Sequence, residues 1–166
     1  MRRRKQQRGS AVVEFAFTGI PLIFIWIGIF WMSFGMWRYH TLQYACKAAG
    51  AYLSTHGALY VNASHASIQV KDVAAVLAAN AVGLPATEVT LTLTAKDSTK
   101  TCRLDACKTD TTAWPPTTNN IVGTDITVKA AYTMNSAFAM WNPAIGATRF
   151  SNSYALTGYS HQQILF

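Results

Sequence analysis

The chain is poor in the residues that carry chemistry. Of its 166 residues only seven are acidic, and beyond Glu14 these are Asp72, Glu88, Asp97, Asp105, Asp110 and Asp125. No two of them are placed in a way that suggests acid and base work. His40, His56, His65 and His161 are too scattered to form a ligand motif. There is no zinc spacing, no phosphate-cradling glycine loop and no nucleophile elbow. Serine and threonine are plentiful, but residue types alone do not make a triad. These absences argue against an enzyme, and neither a cofactor nor a metal is expected. No internal repeat and no heptad pattern is evident.

A second absence is more telling. From Phe15 to Trp37 there are 23 residues with no Asp, Glu, Lys or Arg. As a helix this run is roughly 35 Å long, enough to cross a hydrocarbon core of about 30 Å. Leu22 to Ile27 is its most apolar part, and Trp31 and Trp37 lie towards the far end, where indoles favour the membrane interface. A secretory signal peptide has a shorter apolar region and ends at small residues. Here the run ends Met36-Trp37-Arg38-Tyr39-His40, so the reading is a membrane helix that stays with the protein.

Cations cluster before this run. Arg2, Arg3, Arg4, Lys5 and Arg8 precede it, and only Arg38 and Lys47 follow closely. Excess Lys and Arg mark the cytoplasmic flank, so the N-terminus is expected inside and the residues after about 38 across the membrane. The net charge of +7 is mostly this leader: without residues 1–9, nine cations face seven acids, a net of +2. The remaining cations are scattered rather than striped, which argues against a nucleic-acid partner.

Glu14 stands at the mouth of the apolar run. A carboxylate in a membrane segment is rare and usually has a partner; the bland alternative is that it stays wet at headgroup level. Around it the sequence reads Gly9-Ser10-Ala11-Val12-Val13-Glu14-Phe15, which resembles the processing site of type IV pilin-like proteins. More narrowly, Arg8 to Ala16 resembles the TadE-like minor pilins of tight-adherence (Flp-type) pilus systems. The resemblance implies cleavage by a prepilin peptidase between Gly9 and Ser10, leaving Glu14 as the fifth mature residue. Phe15 stands where major Flp pilins prefer tyrosine, and those are far shorter, which favours the minor branch. Where relatives often carry a second acid near the end of the span, this chain has Phe30-Trp31-Met32-Ser33. Without the resemblance, Gly9 reads as a flexible residue before a helix.

Physical reasons accompany the likeness. A small residue at Gly9 lets a protease approach the backbone closely. Cleavage would expose the amine of Ser10 about one turn from Glu14. Pairing of that amine with the carboxylate, within or between subunits, would offset the desolvation of both. Glu14 would then set register when helices pack, as single polar residues do elsewhere. Pro21 removes one backbone hydrogen bond and should bend or loosen the helix near it, although Gly and Pro are common in such spans.

Beyond the run, the pattern predicts an α+β domain. Leu42, Ala45, Cys46, Ala49, Tyr52 and Leu53 form an apolar stripe at helical spacing, so the helix should continue to His56 with Gly57 as its stop. A second helix is expected from about Ser64 to Val82, ended by Gly83 and Pro85. Val89–Thr94 and Ile126–Met134 alternate with period two, and a weaker strand is expected over Ser153–Gln162. Together they predict a roughly three-stranded antiparallel sheet packed on the long helix. The polar segment 96–123 reads as a long loop. It holds Cys102 and Cys107, expected to form a disulfide if the domain is periplasmic; the alternative, half of a zinc site, lacks a second ligand pair. Cys46 reads as a buried thiol rather than a cross-link.

The expected organisation is thus a leader over 1–9, a long helix over 10–56 with its span at about 15–37, and an extracytoplasmic domain over 57–166. It would be a single-pass protein of a bacterial inner membrane. The resemblance implies a pilin-like structural subunit whose partners are a prepilin peptidase, the major pilin, other minor pilins, an inner-membrane pilus platform and the lipid bilayer. Two rivals stay open: a pseudopilin of a secretion or DNA-uptake system, and an uncleaved membrane-anchored binding domain.

Overall fold

The computed structural model describes residues 7–57, 67–141 and 150–165. The chain divides into two compact units at the Met36/Trp37 boundary. Helix α1 (Gln7–Thr55) runs through both. It is followed by α2 (Val70–Asn80), β1 (Val89–Ala95), β2 (Ser98–Arg103), the single turn α3 (Leu104–Cys107), β3 (Asp125–Trp141) and β4 (Phe150–Gln163).

In the first unit α1 is apolar on every face. Phe17 is 81% exposed, and Val12, Val13, Ile20, Leu22, Ile23, Phe24, Ile25, Trp26, Ile29, Phe30 and Met32 are exposed as well. None of its most apolar 18-residue window is buried. A helix that is hydrophobic all round needs an apolar medium on all sides. The two hydroxyls within the apolar run, on Thr18 and Ser33, donate to the carbonyls of Glu14 and Ile29 four residues back. Neither therefore needs water.

The second unit has its own core. The four strands form one antiparallel sheet in the order β2-β1-β3-β4. Alternation along β1 buries Val89, Leu91, Leu93 and Ala95, and along β3 it buries Ile126, Val128, Ala130, Tyr132 and Met134. Register aligns Cys102, Leu91, Ala130 and Gly158 in one row across the sheet. In this unit the continuation of α1 buries Leu42, Ala45, Cys46, Ala49 and Leu53, the i, i+3, i+4 stripe expected of a helix lying on a sheet. The approach is close. A Cβ at Gly158 would stand 2.8 Å from the carbonyl oxygen of Leu42 and 2.9 Å from Sγ of Cys46, so a side chain there is excluded. Helix α2 adds Val70, Val73, Ala74 and Leu77 to the same core.

The outer edge of β4 is partly covered. Gln43 on α1 donates from Nε2 to the carbonyl of Thr157 at 3.3 Å, and its Oε1 accepts from the N–H of Tyr159 at 3.1 Å. One side-chain amide thus does on the strand edge what a neighbouring strand would do.

Three expectations need correction. The sheet gains a strand because part of segment 96–123 is not loop: Ser98–Arg103 pairs with β1 from Ala95↔Ser98 to Thr90↔Arg103. Lys96, with φ 49°, turns the chain back at that point. Helix α2 starts at Val70 rather than Ser64, and Ser64 itself lies outside the described residues. Before Val70 the backbone is drawn into a bridge with 112–114: the Trp114 N–H donates to Ile68, and the Val70 N–H to Thr112, each at 2.9 Å. The Gln69 N–H meets the Asp72 carboxylate at 2.9 Å, which fixes the helix start. The β3–β4 hairpin is longer than its alternating parts, with a register shift between Asn135 and Met140.

Candidate functional site

The processing and assembly residues lie at the start of α1. Gln7–Ser10 forms its first turn. The first four N–H groups of a helix have no intrahelical partner, so this turn opens with the least loss of hydrogen bonding. Gly9 and Ser10, the expected scissile pair, lie within it. The backbone alone is described there.

Glu14 is exposed, one turn after Ser10. Among the described residues no cation pairs with it. Thr18 and Ser33 satisfy themselves within the helix, and Glu14 is the one acidic residue between Met1 and Met36. Phe15 is exposed, and its ring lies over Gly19 one turn on: a Cβ at Gly19 would be 3.5 Å from the ring. Pro21 lies within an unbroken helix, where Ala16, Phe17, Ile20 and Pro21 line a shallow apolar notch. The missing Pro21 N–H leaves the Phe17 carbonyl without its usual partner.

The second unit carries the remaining predicted residues, Cys102 and Cys107. Cys102 and Cys107 are bonded, with Cα atoms 5.7 Å apart, tying the end of β2 to α3. Cys46 is fully buried, and burial pushes its thiol up to about 11, opposed by a hydrogen bond with the Ala130 backbone. Lys100 Nζ lies 2.8 Å from Asp110 Oδ2. That ammonium, with the hydroxyl and N–H of Thr112, holds the Asp110 carboxyl well below the usual carboxylate range. Among the described residues no three His, Cys, Asp or Glu side chains converge on a point that could hold a metal ion.

Arg38 was legible only as a charge after the span. In the structure its Nη1 donates to the hydroxyl of Tyr132, and its guanidinium lies 5.2 Å from that ring's centre. Burial raises the Tyr132 phenol above its ordinary value, and Arg38 opposes the rise. A clue was present: Arg38 stands four residues before Leu42, so it continues the core-facing stripe.

These features define a class: a protein with, among the described residues, one helix long and apolar enough to cross a membrane, joined to a small α+β domain, in keeping with a single membrane anchor. Residues 9–50, about a quarter of the chain, match the model of the TadE-like protein family, and over that stretch the chain is similar to it. The match begins at Gly9, takes in Glu14 and the apolar run, and ends among the residues that pack on the sheet. Neither a curated protein nor a solved structure matches the chain.

Proposed function

We propose that this protein is a pilin-like structural subunit of a Tad-type pilus, cut after Gly9 by a prepilin peptidase. The observation that carries the reading is the single carboxylate of Glu14. It heads an apolar run without other charges, none of whose most apolar window is buried, five residues after Gly9 and inside the TadE-like match.

The chemistry is that of charge pairing. Before cleavage, the peptide nitrogen of Ser10 is neutral, and among the described residues no cation pairs with Glu14. Cleavage turns that nitrogen into an ammonium. Four residues of helix separate the two groups, a rise of about 6 Å. An unpaired ion in a low-dielectric bundle carries a penalty of several kcal/mol, so only packings that bring ammonium and carboxylate together are favoured. The pair, within one subunit or between neighbours, thus sets helix register. The aromatic and aliphatic side chains around the helix supply the rest of the contact with other pilin helices or with lipid. The domain beyond residue 37 offers its surface to the pilus or to its membrane platform. This role needs no cofactor.

The test is intact mass of the protein from its native host, with and without its prepilin peptidase. The expected outcome is a chain that begins at Ser10 only when the peptidase is present. A functional protein that keeps residues 1–9 would end the proposal.

A further inference from the structure

Trp37 closes the apolar run, and Arg38 opens the mixed sequence after it. Trp37 stays outside the buried stripe and is 46% exposed. Its ring meets the α2–β1 connection. Gly83 there has φ 78°, and a Cβ on it would stand 2.6 Å from Cη2 and 3.1 Å from Cζ3 of the indole. The left-handed backbone and the close approach both suit glycine. The preceding residue, Val82, is 62% exposed, while Leu84 packs part of its surface on the core. No residue from Val73 to Thr87 is charged, and Lys71, Asp72 and Glu88 flank that stretch.

We propose that the turn around Val82 and Gly83 is a second membrane contact, with Val82 entering the interfacial layer of the leaflet from which α1 emerges. The inference rests on reading residues 15–37 as a membrane span. It follows from connectivity. An indole at the end of a span favours the interface, and the headgroup layer is roughly 5–7 Å deep on each side of the hydrocarbon. Gly83 touches that indole, so a Trp37 ring in this layer brings the turn to a similar depth. The occupant is lipid, because the turn continues the apolar surface of Trp37 with aliphatic side chains. Arg38, the nearest cation in sequence, is directed to Tyr132. With two contacts the domain is fixed in height above the membrane; one helix exit would leave it free to swing.

The experiment uses the full chain in phosphatidylcholine vesicles, with a nitroxide on Val82→Cys, on Ile121→Cys or on Ile25→Cys. Cys46 is buried and the other two cysteines are bonded, so the label reports the introduced site; the unsubstituted chain is the control. Collisions with oxygen and with an aqueous nickel chelate are compared. Ile121 is exposed in a connection that bonds to the chain end through the Gly123 N–H and the Ile164 carbonyl, and it serves as the water-facing reference. The expected result at Val82 is a loss of nickel collisions and a gain of oxygen collisions relative to Ile121. Equal nickel access at Val82 and Ile121, with Ile25 in lipid, overturns this proposal and leaves the span reading intact. Nickel access at Ile25 overturns the span reading, and this inference with it.

Discussion

The two stretches of α1 make an instructive pair. From Phe15 to Met36 apolar side chains point in every direction and are exposed. From Trp37 to Thr55 the buried apolar side chains form one stripe, Leu42, Ala45, Cys46, Ala49 and Leu53, while Trp37, Tyr44, Lys47 and Thr55 are exposed. Both stretches are helical for the same local reason, a lack of breakers apart from Pro21. They differ in solvent. The first requires an apolar surrounding, and the second requires one apolar partner surface and otherwise tolerates water. The arrangement of side chains around a helix therefore tells what encloses it, even where average hydrophobicity does not.

Truncation of matched aliphatic residues sharpens the contrast most. Leu91→Ala, at a site with no exposure, should lower the domain's unfolding free energy by about 3 kcal/mol in urea titration. Ile25→Ala, at a residue 59% exposed, should leave that titration within about 0.5 kcal/mol of the parent. Similar losses from both would break the comparison.

The disulfide acts only on the second stretch's domain. Cys102→Ala should destabilise it by about 2 kcal/mol, because the bridge closes a short loop. The same urea midpoint is expected for the reduced parent.

The smallest effect is electrostatic. The folded-state pKa of Asp110 is depressed, first by Lys100 and then by Thr112. Its contribution is therefore fully present above the unfolded value of about 3.9, and it is lost as pH falls below that towards the depressed folded value. Urea midpoints at neutral and strongly acidic pH should differ less for Asp110→Asn than for the parent. The effect is small because the pair is partly exposed and screened by salt.

Much of this fold was legible because burial leaves a period in the sequence. Val89–Ala95 alternates because one face of β1 meets the helices, and the stripe on α1 repeats because it meets the sheet. Strand β2 escaped notice because Ser98-Thr99-Lys100-Thr101-Cys102-Arg103 has no large apolar residue. It is an edge strand, held by backbone pairing to β1 and by its disulfide. Its one clue was Lys96-Asp97, a two-residue turn directly after an alternating strand. The true start of α2 was hidden too, since it is set by bonds to Asp110 and Thr112, some forty residues away. At the N-terminus the order of Gly9, Ser10 and Glu14 was plain from the sequence, whereas the Arg38–Tyr132 contact joins residues 94 positions apart and could not be read locally.

The amide of Gln43 on the rim of β4 has a consequence for crowding. Proteins held in one membrane meet their own copies at high local density, and exposed strand rims invite sheet-to-sheet fusion. By occupying the Thr157 carbonyl and the Tyr159 N–H, this side chain removes two adjacent docking points from the rim. A second sheet therefore finds two fewer backbone groups to pair with on this rim.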